Sequence, residues 1–71
     1  MNLLTVTAID KHSSDTTNRT FSTENPQNFK ESVLEWEKEL SYRRYELVTS
    51  EFLDDYSEEI GVILDELEIS N

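Results

Sequence analysis

EFLDDYSEEIGVILDELEISN, residues 51–71, is the stretch on which the fold turns. At 100° per residue, Leu53, Tyr56, Ile60, Ile63, Leu64 and Leu67 fall within an arc of about 100°. Glu51, Asp54, Asp55, Glu58, Asp65 and Glu66 cluster around the opposite direction, with Glu59 and Glu68 at the edges. The pattern predicts a two-faced helix of about 18 residues whose apolar stripe must be buried. Thr49-Ser50 offers its N-cap, and Glu51, Asp54 and Asp55 sit where the positive end of the helix dipole favours acids. Gly61 is its weak point, costing about 1 kcal/mol relative to alanine. An apolar stripe of this kind needs a second layer to cover it.

Residues 1–50 supply that layer. Leu3 to Asp10 is rich in β-branched residues, with Leu4, Val6 and Ala8 alternating with Leu3, Thr5, Thr7 and Ile9. Apolar residues on both faces predict a central strand. The small polar run Lys11 to Thr16 reads as a turn. Thr17 to Thr23 alternates again, which makes a hairpin with Phe21 as its inward anchor. Glu24-Asn25-Pro26 is a helix start, with Asn25 as cap and Pro26 at the first helical position. Phe29, Val33, Trp36 and Leu40 then form one stripe, flanked by Leu34. Trp36 reads as a core aromatic closing this helix onto the sheet. Residues 41–50 fit two patterns. Tyr45, Leu47 and Thr49 alternate as in a strand, while Leu40, Leu47, Val48 and Phe52 also line up in a continued helix. A third strand is preferred, because a lone hairpin is marginal. The expected fold is a small α+β single domain over residues 1–71, in the order β-β-α-β-α, with a hairpin and third strand packed by two amphipathic helices.

Composition narrows the function. The chain holds 16 Asp and Glu, six Lys and Arg and no cysteine, for a net charge of −10. Residues 51–71 carry eight of the acids and no Lys, Arg or His, whereas residues 1–50 are only two charges negative. Without cysteine there is neither a disulfide framework nor a thiolate nucleophile. Residues 1–10 lack a basic segment ahead of an apolar run, and no stretch approaches the roughly 20 apolar residues of a membrane helix, so a cytoplasmic protein with no membrane association is expected. The sequon Asn18-Arg19-Thr20 reads as chance in that setting.

Little catalytic chemistry is on offer. His12, the one histidine, lies in a polar turn, and with Asp10 and Asp15 it makes at best a weak metal site, since structural sites want three or four ligands. The acidic run from Asp54 fails the calcium-loop spacing, which would put Tyr56 at its first position. One glycine cannot build a phosphate-cradling loop. Carboxylates on an exposed helix face are not tuned for acid/base work. Arg43 and Arg44 could meet phosphate, but an internal ion pair with the many carboxylates is the expectation. The chain is expected to be no enzyme and to need no cofactor or metal.

A polar face keeps a small protein soluble, but such faces normally mix signs and gain from i,i+4 pairs. Here Glu51/Asp55, Asp54/Glu58 and Asp55/Glu59 repel along one face, as suits a surface meant for a basic partner. Eighteen residues span about 27 Å, so eight acids give about one charge per 3.4 Å, the spacing along one strand of duplex DNA. Val62 lies in the middle of the acidic face with Ile69 near the same direction, and an apolar residue ringed by acids is a candidate contact anchor.

The length, the charge of −10, the run Glu51-Phe-Leu-Asp-Asp-Tyr-Ser-Glu-Glu59 and the compact strand–helix composition together resemble small, acidic, cysteine-free inhibitors of phages and mobile elements that mimic DNA. The anti-CRISPR proteins that block Cas9 are the nearest type. The resemblance implies that the acidic face occupies a Lys- and Arg-lined nucleic-acid channel, such as one that reads a protospacer-adjacent motif through paired arginines. Restriction enzymes, uracil-DNA glycosylase and RNA polymerase are inhibited by related means. The partner would be a basic nucleic-acid-binding protein, Cas9 or another defence nuclease, in the host bacterial cytoplasm, with no direct nucleic-acid binding. Glu51, Asp54, Asp55, Glu58, Glu59, Asp65 and Glu66 would imitate phosphates, with Val62 as the apolar contact. The alternative is a small structural or regulatory module. It would be an acidic antitoxin, or a homodimer joined through Leu53, Tyr56, Ile60, Ile63 and Leu67.

Overall fold

The computed structural model describes residues 3–50 and 56–70. Strand β1 (Leu3–Asp10) is the centre of the sheet, as its apolar content required. It pairs antiparallel with β2 (Thr16–Ser22) on one edge and with β3 (Tyr45–Val48) on the other. Alternation sends Leu4, Val6 and Ala8 to one face, where all three are fully buried. Their cross-strand partners Phe21 and Leu47 are buried with them. The opposite face carries Thr5, Thr7 and Ile9 beside Thr20, Asn18 and Thr16, a polar surface on which the Thr5 and Thr20 hydroxyls meet at 2.8 Å.

The turn between β1 and β2 is closed by its own polar groups. Asp10 N–H donates to the Asp15 carbonyl, Ser14 N–H donates to the Asp10 carbonyl, and Ser14 takes the left-handed conformation at φ 66°. Asp10 Oδ1 accepts from His12 N–H at 2.9 Å, and Asp10 Oδ2 accepts from the Ser13 hydroxyl at 2.8 Å.

Helix α1 (Pro26–Glu39) starts where Asn25 and Pro26 predicted, with the Asn25 side chain accepting from Gln27 N–H and Asn28 N–H. Phe29, Val33 and Trp36 are its buried stripe. Phe21 meets Phe29 and Trp36 edge-on, at 6.0 and 5.6 Å between ring centres, so the hairpin's anchor is locked under the helix. Residues 41–50 contain strand β3, and the continued-helix alternative falls.

The acidic helix is shorter than its sequence pattern. Helix α2 (Glu58–Glu66) has nine residues, with Ser57 rather than Ser50 as N-cap. The Ser57 hydroxyl accepts from Ile60 N–H at 3.3 Å, and Glu58 and Glu59 fill the first turn, a combination of cap and dipole that fixes the start. Tyr56 and Ser57 are outside the helix, which breaks the expected continuous 18 residues. Ile60, Ile63 and Leu64 are buried, sealing the same face of the sheet that α1 covers. After Leu67 the chain turns through Glu68 at φ 58° into a fourth strand, β4 (Ile69–Ser70), parallel to β3. The sheet order is therefore β2-β1-β3-β4, with both helices on one side. Ile69, placed by helical spacing on the acidic face, is instead buried in the core beside Leu47. A strand alternates its side chains, and the left-handed residue before it resets the direction.

Candidate partner-binding face

Helix α2 concentrates the candidate residues that the structure describes. On a helix surface, neighbours lie three and four residues away. For Val62 those four positions are Glu58, Glu59, Asp65 and Glu66, so every helical neighbour is an acid. Val62 itself is 55% exposed, the most exposed of the large apolar side chains that the structure describes. The buried residues Ile60 and Leu64 point the opposite way, and with Ile63 at the edge of the groove they pack the helix against the core. Charge and anchor are thus presented by one fixed element.

The surface is not a bare cylinder. Glu58, Glu59, Val62 and Glu66 line a groove of about 540 Å³ with Asn25, Pro26, Gln27 and Lys30 from the start of α1. Lys30 Nζ lies 2.9 Å from Glu66 Oε2 across this groove. Both groups are about half exposed or less, so the bridge joins the helices with modest energy. It also divides the candidate acids. Glu66 has an internal counter-charge, whereas Glu58, Glu59 and Asp65 have no cation within ion-pair distance among the described residues.

Glu51, Asp54 and Asp55 lie outside the described residues, as does Leu53. The expected 27 Å row of eight acids is not carried by one helix: nine residues span about 14 Å. Four acids over that length keep the same spacing of about 3.4 Å, so the density of charge survives while its reach halves. The dimer surface considered from sequence is largely used up inside the monomer, because Ile60 and Ile63 belong to its own core and Tyr56 and Leu67 pack against it. Tyr56 donates its hydroxyl proton to the Leu3 carbonyl, fastening the approach to α2 to the first residue of β1.

Two acids of α1 have internal tasks. Glu39 pairs with Arg19 at 3.5 Å, and Glu37 Oε1 accepts from the Tyr45 hydroxyl at 3.0 Å. Burial, then the hydrogen bond to Glu37, raises the Tyr45 pKa above its usual value. Asp10 is shifted the other way, downward, chiefly by the His12 N–H and then by the Ser13 hydroxyl. Asp10, His12 and Asp15 do not assemble as ligands: among the described residues no three His, Cys, Asp or Glu side chains converge on a common point. Nor is any helix among them long and apolar enough to cross a membrane. Arg43 and Arg44, expected to be internally paired, form no ion pair with any described residue.

No protein-family model, curated protein or solved structure matches the chain.

Proposed function

We propose that the protein is an acidic inhibitor that docks on the positively charged nucleic-acid-binding surface of a host defence nuclease, as anti-CRISPR DNA mimics do. The observation that supports this reading best is Val62, exposed and enclosed by Glu58, Glu59, Asp65 and Glu66 on a helix whose other side is fixed in the core. Arginines that otherwise hold successive phosphates would meet carboxylates at matching spacing over about four phosphates. Val62 would be desolvated at the centre of the contact, where anchors contribute most. Glu51, Asp54 and Asp55 join the proposed contact on their sequence alone. Glu66 contributes least, since Lys30 already neutralises it.

The test begins with capture on the full chain from a bacterial lysate at low salt, elution at high salt, and identification of the eluted nuclease. That nuclease should bind the chain in competition with its DNA, and its affinity should fall at least tenfold between about 50 and 200 mM salt. Glu58→Lys with Glu59→Lys should abolish inhibition while the circular dichroism spectrum is kept. A folded double variant that still inhibits like the parent sinks the proposal.

A further inference from the structure

At the opposite end of β1 from Leu3, the turn after β1 and the segment before β3 enclose a pocket of about 450 Å³, lined by Asp10, His12, Ser41, Tyr42, Arg43 and Arg44. We infer that this pocket binds a small phosphate-bearing organic anion, with Arg43 and Arg44 as the groups that hold the phosphate. This site is separate from the acidic face and does not depend on the function proposed for it.

The argument starts from charge. In a chain with a net charge of −10, two adjacent arginines would be expected to find carboxylates. Asp10, which lines the same pocket, and Glu37, which is bonded to Tyr45, are otherwise engaged. Both oxygens of Asp10 accept hydrogen bonds from its own turn, and Glu37 accepts from Tyr45. Arg19 and Lys30 each find an acid, whereas Lys11, Lys38, Arg43 and Arg44 form no ion pair among the described residues, and of these four only Arg43 and Arg44 line a pocket. Arg43 and Arg44 are exposed and unpaired among the described residues, leaving two guanidinium forks beside a concave surface. Guanidinium groups recognise phosphate bidentately and are weakly hydrated, so they suit this task better than ammonium groups.

The pocket also has a fixed frame. Lys11 N–H donates to the Arg44 carbonyl at 3.0 Å, tying the two walls together, and Tyr42 packs against the hydrophobic core. A volume of about 450 Å³ leaves room for an organic body attached to the phosphate. The half-buried Tyr42 ring and the His12 imidazole are the surfaces such a body would meet.

The probes are inorganic phosphate, adenosine and adenosine monophosphate, each titrated into the full chain and followed by amide correlation spectra. Adenosine monophosphate should give saturable shifts confined to residues 10–13 and 41–45, with a dissociation constant of about 1 mM or tighter. It should bind more tightly than phosphate, and adenosine alone should not saturate. Arg43→Ala with Arg44→Ala should weaken binding at least tenfold while other resonances stay in place. If that variant loses its dispersed spectrum, Arg43→Lys with Arg44→Lys decides, with a loss of at least severalfold. Unsaturable or scattered shifts, equal binding of adenosine, no preference over inorganic phosphate, or an unchanged response in the folded arginine variants would each overturn the inference.

Discussion

Gly61 shows how far one residue can be read from its surroundings. It sits within α2, between a buried isoleucine and the exposed Val62, and its φ is negative. A methyl group built on it would meet nothing within 4 Å. The glycine therefore serves no close approach and no special backbone conformation, and only its helix-weakening entropy remains. Gly61→Ala should raise stability by about 1 kcal/mol, seen as a higher midpoint in denaturant with an unchanged slope. A loss of stability would mean that the space beside Gly61 is closed in solution. Glu68 is the opposite case. Its φ of 58° is a conformation that glycine would adopt without cost, yet a glutamate occupies it. That is why the end of α2 carries no stop signal in the sequence, and why helical spacing puts Ile69 on the wrong face.

Among the elements, those with redundant signals were the legible ones. Asn25 and Pro26 mark the start of α1, and Phe29, Val33 and Trp36 repeat on one side, so cap and stripe agree. Strand β1 was legible because Leu4, Val6 and Ala8 alternate among β-branched neighbours. The bounds of α2 were not, because the apolar arc continues back through Tyr56 to Leu53 and Thr49-Ser50 offers a cap ahead of it. Periodicity cannot choose between Ser50 and Ser57; the Ser57 hydroxyl bond to Ile60 N–H does. The four acids of α2 that surround Val62 were legible, since they depend on spacing within nine residues. The Lys30–Glu66 bridge was not, because it joins residues that only the packing of α1 on α2 brings together. Ser57→Ala should destabilise the domain by about 1 kcal/mol. Amide exchange should show the loss mainly at Ile60 and Gly61, whereas Ser50→Ala should leave the α2 amides protected as before. Equal effects of the two changes would return the helix start to Ser50.

For the whole molecule, charge is layered. The open face of the sheet, with Thr5, Thr7, Thr16, Asn18, Thr20 and Ser22 in β1 and β2, is uncharged across those two strands. The acids of both helices lie on the other layer, and the unpaired arginines lie at the far end of β1. The protein is thus polarised within its net negative charge, so salt should affect its encounters more than its fold. The position of β1 has a consequence of a different kind, in time. Its first partner is near in sequence, Leu4 opposite Phe21, whereas its second is distant, Ala8 opposite Leu47. Closing the shorter loop costs less entropy, so the hairpin capped by α1 should form first and the β3–α2–β4 half should dock onto its finished edge. Phe21→Leu should then slow folding, while Ile69→Val should chiefly speed unfolding, each read from the two arms of a chevron plot. The reverse pattern would make the carboxy-terminal half the nucleus. On this ordering the acidic helix arrives late, and a partner that grips it would hold the last part of the domain to assemble.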